Sequence, residues 1–123
     1  MQRKFRLTRS EDFKRVRRSG KSYAHPLVVL IVQTHDPQNS PVDRPRIKIG
    51  VAAGRTVGTA VTRNRAKRLL REAIRPLIPT IASSLDLILI ARPGLVSATL
   101  EETRQALLNL LKRAQIQIPL NES

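Results

Sequence analysis

Three stretches of the chain are apolar at strand spacing and three at helical spacing. Leu27-Val28-Val29-Leu30-Ile31-Val32 is a β-branched run of buried-strand length, Arg46-Ile47-Lys48-Ile49-Gly50-Val51 alternates with a period of two, and Leu87-Ile88-Leu89-Ile90-Ala91 is a further buried run. From Thr59 to Leu77 the period is helical. Ala66, Leu69, Leu70, Ala73, Ile74 and Leu77 lie on one side, Asn64, Lys67, Arg68, Arg71 and Arg75 on the other, and Pro76 and Pro79 end the segment. Thr99-Leu100-Glu101-Glu102 reads as a capping box, opening a last helix with Leu100, Leu107, Leu108, Leu110, Leu111 and Ala114 on its apolar side. Near the start, Thr8-Arg9-Ser10-Glu11 fits the same box and Gly20 supplies a stop. Between them Leu7, Phe13 and Val16 form a thin apolar edge, while Arg9, Lys14, Arg15, Arg17, Arg18 and Lys21 occupy the rest, which predicts a short helix lying on the surface.

The proline-rich stretch from His35 to Pro45 predicts a loop, and Arg92-Pro93-Gly94 a turn. Helix, two or three strands, helix, strand, helix is the order of an α/β sandwich with helices packed on one small sheet. The chain of 123 residues suits one domain, expected over residues 1–118, with a disordered tail over 119–123.

Charge changes this picture from a scaffold to a binding protein. The formal charge is +14, from 23 Lys and Arg against 9 Asp and Glu, a field that attracts polyanions. It is not spread evenly. Residues 1–21 carry +7 and residues 44–75 carry +9, whereas 83–123 balance four basic groups with four acidic ones. One binding surface beside a neutral scaffold is the simplest account. The absence of cysteine excludes a disulfide framework, thiolate catalysis and Cys-based zinc sites. No apolar run approaches membrane-spanning length and no secretory h-region follows the first charges, so a cytoplasmic location is expected.

Thr62-Arg63-Asn64-Arg65-Ala66-Lys67-Arg68-Leu69-Leu70-Arg71-Glu72-Ala73-Ile74-Arg75 concentrates the candidate chemistry. Its cations repel one another, those near the helix start oppose the macrodipole, and Glu72 is the only acid available to pair with them. A phosphate backbone offsets that cost, accepting from Arg, Lys, Asn and exposed amides. Gly54-Arg55-Thr56-Val57-Gly58, just before it, reads as a strand-to-helix turn whose amides could also meet a phosphate. Phe5, Phe13 and Tyr23 are the only aromatics, too few for a base-stacking RNA-recognition sheet, and from the residues alone Phe13 reads as core. No catalytic constellation is visible: His25 and His35 lack partners at metal-ligand spacing, Asp36 and Asp43 bracket the loop, and no nucleophile or P-loop motif occurs. No catalytic side chain and no protein-bound metal are expected. A membrane-surface role would call for interfacial Trp or Phe where this chain has Leu, Ile and Ala. A structural RNA-binding protein of ribosomal type stays open at this point.

The stretch Gly58-Thr59-Ala60-Val61-Thr62-Arg63-Asn64-Arg65-Ala66-Lys67-Arg68-Leu69-Leu70-Arg71-Glu72 resembles the Arg-Asn-Arg signature helix of the protein subunit of bacterial ribonuclease P. Asp12-Phe13, Val16 and Gly20 resemble that family's first helix, and Ala91-Arg92-Pro93 its last strand exit. The resemblance implies the order α-β-β-β-α-β-α with a left-handed crossover around the signature helix, against the usual right-handed rule. It also implies a ribonucleoprotein that removes the 5′ leader of precursor tRNA, with the catalytic centre and its Mg²⁺ in the RNA subunit. By this resemblance Arg63, Asn64, Arg65, Lys67, Arg68, Arg71 and Arg75 contact the RNA subunit. Arg9, Phe13, Arg17, Lys48, Arg55 and Arg92 face the leader, in a cleft between the first helix and the sheet, which takes Phe13 out of the core. Arg17 stands where family members often have a second aromatic, Ile31 where some have tyrosine, and Gly54 where lysine is frequent, so less stacking and less charge are expected there.

Overall fold

Helix α1 (Ser10–Ser19) leads into strands β1 (Lys21–Ala24), β2 (Val28–Thr34) and β3 (Ile47–Ala53). Helix α2 (Ala60–Ile74), strand β4 (Leu85–Ala91) and helix α3 (Leu100–Ala114) follow. The computed structural model describes residues 6–7, 10–34, 47–82 and 85–117. Arg9, the capping box beginning at Thr8, the predicted loop from His35 to Pro45 and the predicted tail lie outside the described residues. The strands form one sheet in the order β1-β2-β4-β3, in which β2 runs antiparallel to both β1 and β4, and β3 parallel to β4. The parallel pair is joined through α2, and the element order α-β-β-β-α-β-α is the expected one.

Alternation along the central strands explains the layers, since successive side chains point to opposite faces. Leu85, Leu87 and Leu89 of β4 join Val28, Leu30 and Val32 of β2 in the main core, under Leu70, Ala73 and Ile74 of α2 and Leu107, Leu110 and Leu111 of α3. Ile88 and Ile90 point the other way, with Val29 and Ile31, and meet Leu7, Phe13 and Val16. Helices therefore cover both faces, which is why Leu87–Ala91 of β4 reads as an unbroken apolar run. Truncating a fully buried leucine such as Leu70 or Leu107 to Ala would cost about 2–5 kcal/mol.

The structure extends the sequence reading in three places. Strand β1, Lys-Ser-Tyr-Ala with a mostly exposed pattern, has no hydrophobic signature, and pairing with β2 alone makes it a strand. Strand β4 starts at Leu85 and so takes in Asp86. The signature helix ends at Ile74, and Arg75–Thr80 continues as a 3₁₀ turn, because Pro76 and Pro79 lack the amides an α-helix needs. Gly20 follows α1 as expected, yet for a different reason. A Cβ there would lie 2.5 Å from the Val16 carbonyl oxygen, 2.7 Å from Ile31 Cγ2 and 2.9 Å from the Val32 carbonyl oxygen, so close packing between the end of α1 and β2 requires the glycine.

Candidate nucleic-acid interface

The start of α2 is set by its preceding turn. Gly58 has φ +138°, a conformation reserved for glycine, and Thr59 then caps the helix by accepting from the Thr62 amide at 3.3 Å. Gly54, by contrast, has open space around its Cα and no conformational need for glycine. Ala66, Leu70, Ala73 and Ile74 are buried, and this anchors the orientation of every other side chain on the helix. Asn64, Arg65, Arg68 and Arg75 are exposed, whereas Arg63, Lys67 and Arg71, spaced four residues apart, form a half-buried line along one flank. Glu72 pairs with Arg75 at 3.3 Å, across an exposed i,i+3 spacing that contributes little.

The opposite face of the sheet carries the cleft. Helix α1 lies on β2 and β4, with Val16 fully buried against Ile31 and Ile88. Phe13 is half-buried, and its ring rests on β3 at Gly50, where any Cβ would collide with it. Phe13 is thus both packed against the second core cluster and part of a cleft wall. Below it Arg15 Nη2 lies 2.6 Å from Asp86 Oδ2 and 3.3 Å from Asp12 Oδ1, and Nη1 donates to Gln33 Oε1. The hydrogen bond to Asp86 raises the Arg15 pKa above its ordinary value, against the opposing effect of burial. Cross-strand register sets Lys48 of β3 and Gln33 of β2 on either side of Asp86.

The two faces meet at the edge of β3. Arg6 bridges to Ile49 as a parallel extension of the sheet, and the Leu7 amide donates to the Ile49 carbonyl at 2.8 Å. Arg6, Leu7, Phe13, Ile49, Gly50, Val51 and Arg71 line a cavity of about 210 Å³ there. Burial, and then the nearby Arg6 charge, lower the Arg71 pKa. Two cations are thus held at one cavity, and among the described residues that line it there is no carboxylate.

The sequence grouped Arg71 with Asn64, Lys67 and Arg68 on one helix face; in the structure Arg71 sits at the cleft margin beside Phe13. Arg17, Arg55 and Arg92 are exposed, and Lys48 is half-buried on the α1 side. Arg55 and Arg92 follow the paired C-terminal ends of β3 and β4, so parallel pairing brings them to the same end of the sheet, away from Lys48 at the β3 start. Sequence reasoning did not single out Arg6 and Asp86. A charge adjoining the Leu87–Ala91 run was the available signal for Asp86, but register was needed to show it covered. Among the described residues no group of three or more His, Asp or Glu could hold a metal ion, and no helix is long and apolar enough to cross a membrane.

These elements define a small basic α+β domain with a cationic helix on one face of a mixed sheet and a cleft on the other. The Ribonuclease P family profile matches residues 1–115. The chain is 40% identical over 116 residues to the ribonuclease P protein component of Herpetosiphon aurantiacus, covering 94% of this chain and 89% of that one. Its counterpart in Brevibacillus brevis is 38% identical, with 94% and 87% covered. The RNase P protein of Staphylococcus aureus superposes with a TM-score of 0.75 at 26% identity, over 91% of this chain and 96% of that one. That of Thermotoga maritima superposes at 0.72 with 28% identity, over 88% and 96%. The chain belongs to the ribonuclease P protein component family.

Proposed function

We propose that the chain is the protein subunit of a ribonuclease P ribonucleoprotein, binding the RNA subunit through α2 and the 5′ leader of precursor tRNA through the cleft under α1. The observation that carries the reading is the cationic crest of α2. Asn64, Arg65 and Arg68 stand exposed on a helix whose buried side is fully committed to the core, and Glu72 is the sole acid on that helix. Phosphates satisfy such a face, and Arg63 and Lys67 extend it towards the sheet edge. On the other face the half-buried Phe13 lines the cavity together with Arg6 and Arg71, an arrangement suited to a single-stranded base with its phosphate. Arg17, Lys48, Arg55 and Arg92 are the further cations assigned to the leader in this reading, with Lys48 at one end of the sheet and Arg55 and Arg92 at the other.

The protein contributes grip and position, and cleavage belongs to the RNA. Among the described residues, Asp86 beneath α1 and Asp12 on it are both engaged by Arg15, which ties these carboxylates to the fold rather than to chemistry on RNA. The divalent cation of the reaction would be bound by RNA in the partner. The test is cleavage of precursor tRNA by the cognate RNA subunit at low Mg²⁺, with and without this chain. Restored cleavage, with none by the RNA-free protein, supports the reading. Binding without any gain in cleavage, or tighter retention of ribosomal RNA than of the ribonuclease P RNA, refutes it.

A further inference from the structure

The sheet face beneath α1 carries a group that an anion-binding groove has no direct use for. Asp86 is 1% exposed, on the central strand, and a buried carboxylate both loses its hydration and repels phosphate. Its surroundings give it a different task. Arg15 reaches down from α1 to Asp86 at 2.6 Å, is steadied one turn back by Asp12 at 3.3 Å, and bonds Gln33 on β2. On the other side Lys48 is the β3 neighbour of Asp86 in register. One carboxylate thus stands between a cation of the helix wall and a cation of the sheet wall. One strand row further along, Phe13 rests on Gly50, whose partner in β4 is Ile88, two residues from Asp86.

We propose that Asp86 is a positioning residue for leader binding: by holding Arg15 against Gln33, beside Lys48, it seats α1 on the sheet at the height that places Phe13 over Gly50. This rests on the reading of the cleft as the seat of the leader. The proposal predicts a sign that simple charge does not. If Asp86 acted only as a charge, Asp86→Asn would make the cleft more positive and tighten its hold on the leader. As a positioning residue its loss frees Arg15 and α1, and the leader is held less well.

The experiment measures affinity of the reconstituted complex for precursor and for mature tRNA, using wild type, Asp86→Asn and Gln33→Met. Asp86→Asn is expected to weaken precursor binding by about 2- to 30-fold, the range for residues that act on a site without touching its ligand. Affinity for mature tRNA and for the RNA subunit should stay within about twofold of wild type, which general destabilisation would not allow. Gln33→Met removes an anchor of Arg15 without changing charge, so it decides the matter even where Asp86→Asn fails to fold, and it should lower the precursor preference in the same direction. Tighter precursor binding by Asp86→Asn, or an unchanged preference in Gln33→Met, overturns the positioning role alone. A wild-type complex that does not prefer precursor over mature tRNA overturns both this role and the reading of the cleft.

Discussion

Replacing Arg65 and Arg68 with Gln tests whether α2 is a specific RNA-binding helix or one part of a diffuse positive field. Both side chains are exposed, while the buried stripe of Ala66, Leu70, Ala73 and Ile74 is untouched and Gln is a good helix former. Stability should therefore change by less than about 0.5 kcal/mol. Each arginine that neutralises a phosphate contributes about 0.7 to 0.9 to the slope of log K against log salt, so the double variant should lose about 1.4 to 1.8 from that slope. Between about 50 and 200 mM salt, the wild type then loses about 7- to 12-fold more affinity for the RNA subunit than the variant does. The structure also selects the control. Arg104 reaches back to the carbonyls of Ala73 and Glu72 at 3.3 and 3.4 Å, at the end of α2, and Arg113 donates to the Ala24 carbonyl at 2.5 Å, so both serve the fold. Lys112 is exposed in the last turn of α3 and is the cleaner choice. Titrations of labelled RNA subunit at several salt concentrations supply the slopes. If Lys112→Gln flattens the dependence as much per charge as the α2 pair, the helix has no special role and the reasoning fails.

Gly50→Ala should push the Phe13 ring off β3, because the new methyl occupies its place; precursor affinity is expected to fall by at least the loss of one stacked base, about 1–3 kcal/mol, with binding to the RNA subunit kept. Equal loss for precursor and mature tRNA would show that Phe13 serves only the core. Thr99→Ala removes one half of the capping box, in which Thr99 Oγ1 accepts from the Glu102 amide at 3.0 Å while the Glu102 carboxylate accepts from the Thr99 amide at 2.8 Å. It should lower unfolding stability by about 1 kcal/mol in denaturant titrations, with no change in salt slope, and a silent substitution would contradict the cap.

Periodicity alone specified the signature helix, the last helix and the apolar runs of β2, β3 and β4, because hydrophobic spacing is imposed locally by the geometry of each element. The clustering of charge in two blocks and the Arg-Asn-Arg stretch were equally legible, since both are properties of neighbours along the chain. Strand β1 was not, for it owes its conformation to hydrogen bonds with β2 rather than to a pattern of its own. Nor was the division of labour among the α2 cations. Arg71 parts from Asn64 and Arg68 because the chain before α1 pairs with β3 and brings Arg6 and Phe13 to the same cavity. Asp86 makes the point most sharply: in the sequence it is one acid beside an apolar run, and only the alignment of β2, β4 and β3 under α1 surrounds it with Gln33, Arg15 and Lys48. Those partners are 53, 71 and 38 positions away along the chain, so the chemistry of the buried carboxylate is decided by packing, in which residues distant in sequence share one low-dielectric volume.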